Sequence, residues 1–436
     1  MKKSELHSRD LYLNRLIAFQ DTEPVKIITG IRRCGKSSLL KLMAQHLLKT
    51  GIRSEQIIEM NFESMVFSKM SAEDLYQYVK EHLPKNKRAY LFFDELQRID
   101  RWQEAVNSFR VDFDCDIYVT GSNAFLLSSE YATYLSGRSV EIKMLPLSFK
   151  EFLDFNGFKV QNKKDPAVGM NKKIIDQNGE SYEVQELLEM YLRFGGMPGI
   201  ADVGLNTDRA LALLDGIYST VAVRDILERE KRRGQHQITD ADLLRRIIMF
   251  LADNIGNQVS MTSIGNSLAH EKIIENKKEQ PSVHTVQAYV NALKESYLFY
   301  EIKRFDIKGK EYLKTLGKYY IVDTGLRNYL LGYRDIDIGH IIENIVYFEL
   351  LRRGYDVAIG KINTLEIDFI ASNANEKKYI QVTETMNDPA VRKRELAPLQ
   401  MIRDGYEKMV IAENCDTCIS QDGIRIERLT EFLLED

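Results

Sequence analysis

Between residues 25 and 145, short apolar runs alternate with segments of helical period. Val25–Thr29, Ile57–Phe62, Tyr90–Phe93, Ile117–Thr120 and Ser139–Leu145 read as strands. Helical spacing covers Lys36 to about Lys49, Ser71–His82 and Trp102–Phe109. Runs of four or five apolar residues without polar alternation describe strands covered on both faces, as in a parallel sheet wrapped by helices. A short helix, Leu6–Phe19, precedes them and closes at the turn around Pro24. Beyond Pro146 the pattern is helical to about Lys231, broken by the polar stretch Lys159–Ser181, which reads as a solvated insertion or hairpin. Helices are expected near 241–254, 260–269 and 282–296, followed by strand-like Tyr300–Phe305 and Tyr319–Asp323. The last hundred residues return to mixed α/β, with a helix at 339–353 and strands at Glu366–Ile370 and Lys378–Thr383. The expected divisions are 1–146, 147–237, 238–332 and 333–436, with no internal repeats.

Composition narrows the class. With 436 residues, 44% of them hydrophobic, and only 8 prolines, the chain is globular and long enough for several domains. Sixty basic against 64 acidic side chains leave a net charge of −4, so nucleic-acid or membrane binding would need a local patch. No stretch nears the roughly 18 unbroken apolar residues of a membrane helix. Glu5, Arg9 and Asp10 also stand where a signal peptide would be apolar, so a cytoplasmic location is expected. Cys34 and Cys115 are isolated, and Cys415 and Cys418 form one CxxC without the second pair a zinc site needs.

Candidate chemistry centres on Gly30-Ile31-Arg32-Arg33-Cys34-Gly35-Lys36-Ser37, a full G-x-x-x-x-G-K-S between an apolar strand and a helix. Glycines let backbone N–H groups wrap a phosphate, and the helix N-terminus adds positive potential. Lys36 would reach the β- and γ-phosphates of a nucleotide and the Ser37 hydroxyl would ligate Mg²⁺, with Ser38 following in the helix. Tyr90-Leu91-Phe92-Phe93-Asp94-Glu95 supplies a strand ending in two acids. Asp94 would hold Mg²⁺ and Glu95 would polarise the attacking water. A further strand ends in Thr120-Gly121-Ser122-Asn123, where Ser122 or Asn123 would orient that water or sense the γ-phosphate, unless they only cap a helix. Arg138, just before the next strand, is a candidate arginine finger or a plain surface residue.

These residues resemble the AAA+ ATPase superfamily, and most closely a prokaryotic AAA+ family that carries a C-terminal domain of unknown function. The resemblance runs through GIRRCGKSSLL (30–40), LFFDELQ (91–97), VTGSNAFLL (119–127), LSGRSVEIKMLPLSFKEFL (135–153) and YLRFGGMPG (191–199). It implies a five-stranded parallel sheet with a helical lid, ATP and Mg²⁺ as cofactors, and sites completed between subunits of a homo-oligomer. No lid arginine has a clear second-sensor context; Arg224 is a candidate only.

Residues 238–323 follow the order helix, short helix, helix, two strands, which resembles a winged helix-turn-helix. Val283, Val286, Val290 and Leu293 would form the inner face, leaving His284, Thr285, Gln287, Asn291 and Lys294 outward. Over 282–314 Lys294, Lys303, Arg304, Lys308, Lys310 and Lys314 face four acids, a modest charge for DNA; DNA binding and protein docking stand as equal alternatives. Arg229, Lys231, Arg232 and Arg233 could add charge. At the C-terminal end Glu343, Glu366-Ile367-Asp368 and Gln381-Val382-Thr383 resemble the PD-(D/E)xK nuclease fold. Gln381 and Thr383 stand where an acid and a lysine are needed, which implies a degenerate domain used for binding or assembly. The expected function is Mg²⁺-dependent ATP hydrolysis driving a switch in the appended domains; the alternatives are a DNA-binding regulator using ATP as a slow switch, and an ATP-gated nuclease. The client is not legible.

Overall fold

The computed structural model describes residues 6–122, 137–165, 169–227, 238–274, 281–309, 311–312, 317–334, 337–416 and 418–435. The chain forms two compact units, Met1–Pro146 with Glu295–Tyr297, and Leu147–Lys294 with Leu298–Asp436.

In the first unit β1 (Val25–Thr29), β2 (Ile57–Asn61), β3 (Ala89–Asp94), β4 (Cys115–Thr120) and β5 (Ser139–Lys143) form one parallel sheet in the order β2-β3-β4-β1-β5. Every residue of β1 and β3 is buried, which is why these strands read as unbroken apolar runs. Helices Lys36–Lys49, Ala72–His82 and Trp102–Asp112 make the crossovers. Phe62, Phe93, Phe109 and Trp102 fill the core on one face of the sheet. Lys26 is the polar exception on β1. Its ammonium is fully buried and paired with Asp116, beneath the Tyr118 ring. The run expected to continue as strand to Leu145 leaves the sheet after Lys143.

The second unit begins with helices Phe149–Phe155, Val184–Phe194, Gly199–Val203 and Thr207–Ser219, ending in a π-helical stretch, Thr220–Leu227. The polar stretch expected as a solvated insertion or hairpin is a small antiparallel sheet of β6 (Lys159–Asp165), β7 (Gly169–Ile175) and β8 (Ser181–Tyr182). Helices Ala241–Asp253, Met261–Ile274 and Val283–Glu295 then accompany a sheet of β9 (Gln258–Val259), β10 (Phe299–Ile302) and β13 (Gly317–Ile321), ordered β10-β13-β9. The intervening β11 (Arg304–Asp306) and β12 (Glu311–Tyr312) join a different sheet. That sheet has seven strands, β12-β11-β14-β15-β16-β17-β18, with β14 (Asp356–Ile362), β15 (Leu365–Ser372), β16 (Lys377–Thr385), β17 (Glu407–Asn414) and β18 (Arg425–Arg428). Helices Ile338–Arg352 and Pro389–Gln400 belong to this part of the chain.

Two expectations are corrected here. Tyr300–Phe305 is not one strand. It breaks at Lys303, whose carbonyl accepts the Ile359 N–H at 3.0 Å, and Arg304 starts a new parallel pairing with β14. On helix Val283–Glu295, Val283 is exposed and Tyr289 is buried beside Val286, Val290 and Leu293, because the buried stripe begins one turn later than the apolar residues suggest.

The GGMP segment explains its own composition. The buried Asp323 carboxylate accepts from the Gly196 and Leu326 N–H groups at 2.7 and 3.0 Å. A Cβ at Gly195 would lie 2.4 Å from Asp323 Oδ1, and one at Gly325 would lie 2.1 Å from the Phe194 carbonyl oxygen. Only glycine permits that approach. Burial pushes the Asp323 carboxyl up to about 6, although backbone N–H donors at Leu326, Gly196, Gly325 and Met197 pull the other way.

Candidate nucleotide-binding site

The loop after β1 is shaped by backbone signs. Gly30, Arg33 and Gly35 have φ of 136°, 65° and 105°, and such alternation turns successive N–H groups into one concavity. Gly30 admits no side chain, since a Cβ there would sit 2.1 Å from the Met144 carbonyl oxygen. The Ile31 and Cys34 side chains are fully buried, so these two anchor the loop rather than face its mouth. Lys36 is 4% exposed and its Nζ donates to the Gly30 and Ile31 carbonyls, each at 3.0 Å. Arg33 is exposed, whereas Arg32 pairs with Glu63, which Arg98 also reaches at 2.9 Å.

β3 ends beside this loop. The Ser37 hydroxyl donates to Asp94 Oδ1 at 3.0 Å. The same carboxylate accepts from Thr120 Oγ1 at 2.6 Å and from Asn61 Nδ2 at 2.8 Å. Three neutral donors thus hold Asp94 without neutralising it. Glu95 follows in the left-handed region, φ 58°, with its N–H donating to Thr120 Oγ1 at 2.9 Å. For a non-glycine residue that conformation costs on the order of 1 kcal/mol or more, and it is a device found at functional sites. Ser122 Oγ donates to Glu95 Oε2 at 3.3 Å, and Gln97 Nε2 donates to the same oxygen.

The structure therefore brings together Gly30, Gly35, Lys36, Ser37, Asp94, Glu95 and Ser122, with Ser38 one residue into the helix. Thr120 and Asn61 were missed as site residues. Both end strands neighbouring β3, a relation that only the strand order of the sheet shows. Asn123 lies outside the described residues, as do Arg229, Lys231, Arg232, Arg233, Lys310, Lys314 and the Arg224 side chain.

Arg138 is not brought to this site within the chain. Its carbonyl accepts the Val25 N–H at 2.9 Å, and Ser139 stands opposite Val25 at the start of β1. The phosphate loop leaves from the other end of β1. At about 3.3 Å per residue, the five-residue strand separates them by roughly 15 Å.

The C-terminal candidates form a different arrangement. Lys318 of β13, 4% exposed, reaches Glu343 Oε1 at 2.8 Å and Glu366 Oε1 at 2.9 Å. Tyr320 also donates to Glu343 Oε1. Burial opposes the Lys318 charge, but Glu343, Asp368 and Glu366 outweigh it and hold its pKa above the ordinary value. Burial together with Glu343 pushes the Asp368 carboxyl well up. Gln381 is committed at both ends. It accepts the Asp368 N–H at 2.8 Å and donates to Glu395 Oε2 at 3.1 Å. Thr383 Oγ1 turns to the Thr385 carbonyl at 3.4 Å, and Lys378 pairs with Glu376 and Glu407. Among the described residues no group of three or more His, Cys, Asp or Glu is placed to hold a metal ion, and no helix is long and apolar enough to cross a membrane.

Residues 22–153 match the AAA domain family, and residues 185–337 match a domain of unknown function, DUF8612. An uncharacterized protein of Haemophilus influenzae is 39% identical over 432 residues, 98% of each chain. The chain belongs to that protein's family. A second relative of this AAA-domain protein, the uncharacterized protein MJ1544 of Methanocaldococcus jannaschii, is 29% identical over 89% of the chain and 79% of its own length. Among solved structures, the Aeropyrum pernix ORC2 protein in its ADPNP–ADP complexes is 12% identical, with a TM-score of 0.37 over 78% of this chain and 92% of that one. The Thermotoga maritima RuvB branch migration motor is 14% identical, with a TM-score of 0.30 over 67% of this chain and 89% of its own. At these scores the two neighbours add nothing to the AAA-domain match. The five-stranded parallel sheet and its strand-end loop are the α/β P-loop fold of that domain.

Proposed function

We propose that the chain is an ATPase whose site is the loop 30–37 with Asp94, Glu95 and Ser122. The observation that carries this reading is the Ser37 hydroxyl 3.0 Å from Asp94, one residue before Glu95 and beside the buried Lys36. A hydroxyl and a charged carboxylate held by neutral donors are the hard oxygen set that Mg²⁺ takes together with phosphates, so Ser37 and Asp94 would hold the ion. When bound, Mg²⁺ supplies charge neutralisation at the phosphate oxygens. Lys36 exchanges its carbonyl partners for β- and γ-phosphate oxygens, and loop N–H groups from Gly30 to Ser38 cradle the anion. Glu95 orients the attacking water and takes its proton, with Ser122 fixing the carboxylate.

Hydrolysis then switches the parts at 147–237, 238–332 and 333–436, which we assign as helical lid, winged-helix-like segment and degenerate nuclease-like domain. For the last, the locked Gln381 and Thr383 support binding or assembly over cleavage. A DNA contact through 282–314 is weakened by the pairing of Lys294 with Glu301 at 2.5 Å and by the placement of Arg304 in the C-terminal sheet. Steady-state ATP turnover with Mg²⁺, repeated with single-stranded and duplex DNA, tests the reading. Turnover that does not respond to DNA favours protein docking, and no turnover at all removes the ATPase.

Arg138, remote from its own loop, would serve a neighbouring subunit. Mixing Arg138→Ala with Glu95→Gln should restore part of the activity. A mixture that stays inactive although the subunits exchange rules out the finger.

A further inference from the structure

Arg9 precedes the first helix, Asp10–Ala18, and is 3% exposed. Its Nη1 donates to the Cys34 carbonyl at 3.1 Å and to the Leu145 carbonyl at 2.9 Å, and its Nη2 donates to the Pro146 carbonyl at 3.4 Å. The guanidinium lies 4.7 Å from the centroid of the Tyr12 ring. Tyr12, fully buried, accepts the Leu145 N–H on its hydroxyl at 3.1 Å. Arg9 and Tyr12 therefore hold both backbone groups of Leu145, at the end of the first unit.

The same end segment backs the phosphate loop. Met144 blocks a Cβ at Gly30, its carbonyl accepts from Cys34 Sγ at 3.6 Å, and its Cε would lie 3.3 Å from a Cβ at Gly35. Arg9 acts on the loop itself through one peptide. In a planar trans peptide the C=O and N–H point opposite ways, so holding the Cys34 carbonyl sends the Gly35 N–H to the other side. A cation on that carbonyl also polarises the peptide and makes the Gly35 N–H a stronger donor to an anion.

We propose that Arg9 is a positioning residue that couples the phosphate loop to Met144–Pro146, so that an anion bound in the loop is felt where the chain leaves the parallel sheet. The proposal rests on the nucleotide-binding reading above. A phosphate pulling on the Gly35 N–H tightens the Cys34–Arg9 bond, and the same fork transmits that constraint to the Leu145 and Pro146 carbonyls.

Hydrogen exchange on the full chain, with and without a saturating non-hydrolysable ATP analogue and Mg²⁺, tests this. In the wild type, exchange should slow both in the loop 30–37 and at the Met144 and Leu145 amides. Arg9→Met keeps the apolar stem and removes the fork. At saturation it should retain loop protection, lose the response at 144–145, and bind nucleotide about tenfold more weakly, as for a lost charge-assisted hydrogen bond. Arg9→Lys, which keeps the charge, should restore part of the response. A purely structural arginine would loosen the free and bound forms alike and leave the ligand-induced change at 144–145 intact, which overturns the proposal. Should Arg9→Met not fold, Arg9→Gln, which removes the charge and the fork but keeps a polar amide, takes its place, and an undiminished response at 144–145 in that variant also overturns the proposal. Wild-type protein that binds nucleotide with no change at 144–145 contradicts the coupling, whereas wild-type protein that binds none contradicts the nucleotide reading beneath it.

Discussion

The strand-end pocket and the C-terminal carboxylate cluster use the same residue types to opposite ends. Each has a buried lysine, and each has acids on a strand, Asp94 in one and Glu366 and Asp368 in the other. In the pocket Lys36 is held by two neutral carbonyls, and Asp94 by two hydroxyls and an amide, so both keep their charge available. In the cluster Lys318 lies directly on Glu343 and Glu366, so its charge is taken up by those two carboxylates. In this chain the contrast separates a lysine and a carboxylate whose partners are neutral, as the proposed nucleotide site requires, from a lysine and carboxylates that are each other's partners. Where they are each other's partners they hold the fold together.

The sharpest break between the two comes from removing each lysine. Lys36→Ala should abolish nucleotide binding, a loss of at least about a hundredfold in titration calorimetry, because the charge facing the phosphates is gone. Its effect on urea unfolding without nucleotide should be small. Lys318→Met should do the reverse, leaving nucleotide affinity intact and lowering stability by about 3–5 kcal/mol, the usual result of stranding buried charges. Equal stability losses in the two variants would dissolve the contrast.

Asp323 sharpens the comparison with a smaller effect, since it is a buried carboxylate bonded to backbone N–H groups. Its folded value of about 6 lies above the roughly 3.9 of an unfolded aspartate, so the folded state binds more protons between those values. Stability from this group is full below about pH 4 and is lost as pH rises through 6. Asp323→Asn should cost about 1–3 kcal/mol at pH 4, by setting an amide donor against an N–H, and the deficit should shrink toward pH 7. A deficit that grows with pH would mean the N–H groups outweigh burial.

Legibility followed the range of the interactions. β1 and the helix Lys36–Lys49 fall where the apolar run and the glycine loop place them, since both signals are local. Asp94 and Glu95 were readable because a strand end needs no knowledge of its neighbours. Thr120 and Asn61 were not, because their roles depend on which strands flank β3, and the order β2-β3-β4-β1-β5 is a property of the whole sheet. Lys318 stands one residue before the expected strand Tyr319–Asp323, and nothing near it in sequence announces partners on the helix Ile338–Arg352 and on β15. Arg9 carries no periodic signal either; the hydrogen bonds it donates to Cys34, Leu145 and Pro146 end on backbone carbonyls, which leave no trace in side-chain pattern. The misplaced Val283 shows the remaining weakness, since a stripe of valines cannot say at which turn packing begins.

The central claim is that Glu95 activates water for a nucleotide held by the loop 30–37. Single-turnover ATP hydrolysis and ATP binding by Glu95→Gln, measured on one preparation, address it most directly. The substitution keeps the shape and spares Lys36, Ser37 and Asp94. Binding should stay within about threefold of wild type while hydrolysis falls by roughly 10²–10⁴-fold, the range for loss of a general base. Hydrolysis unchanged in this variant would contradict the assignment of Glu95.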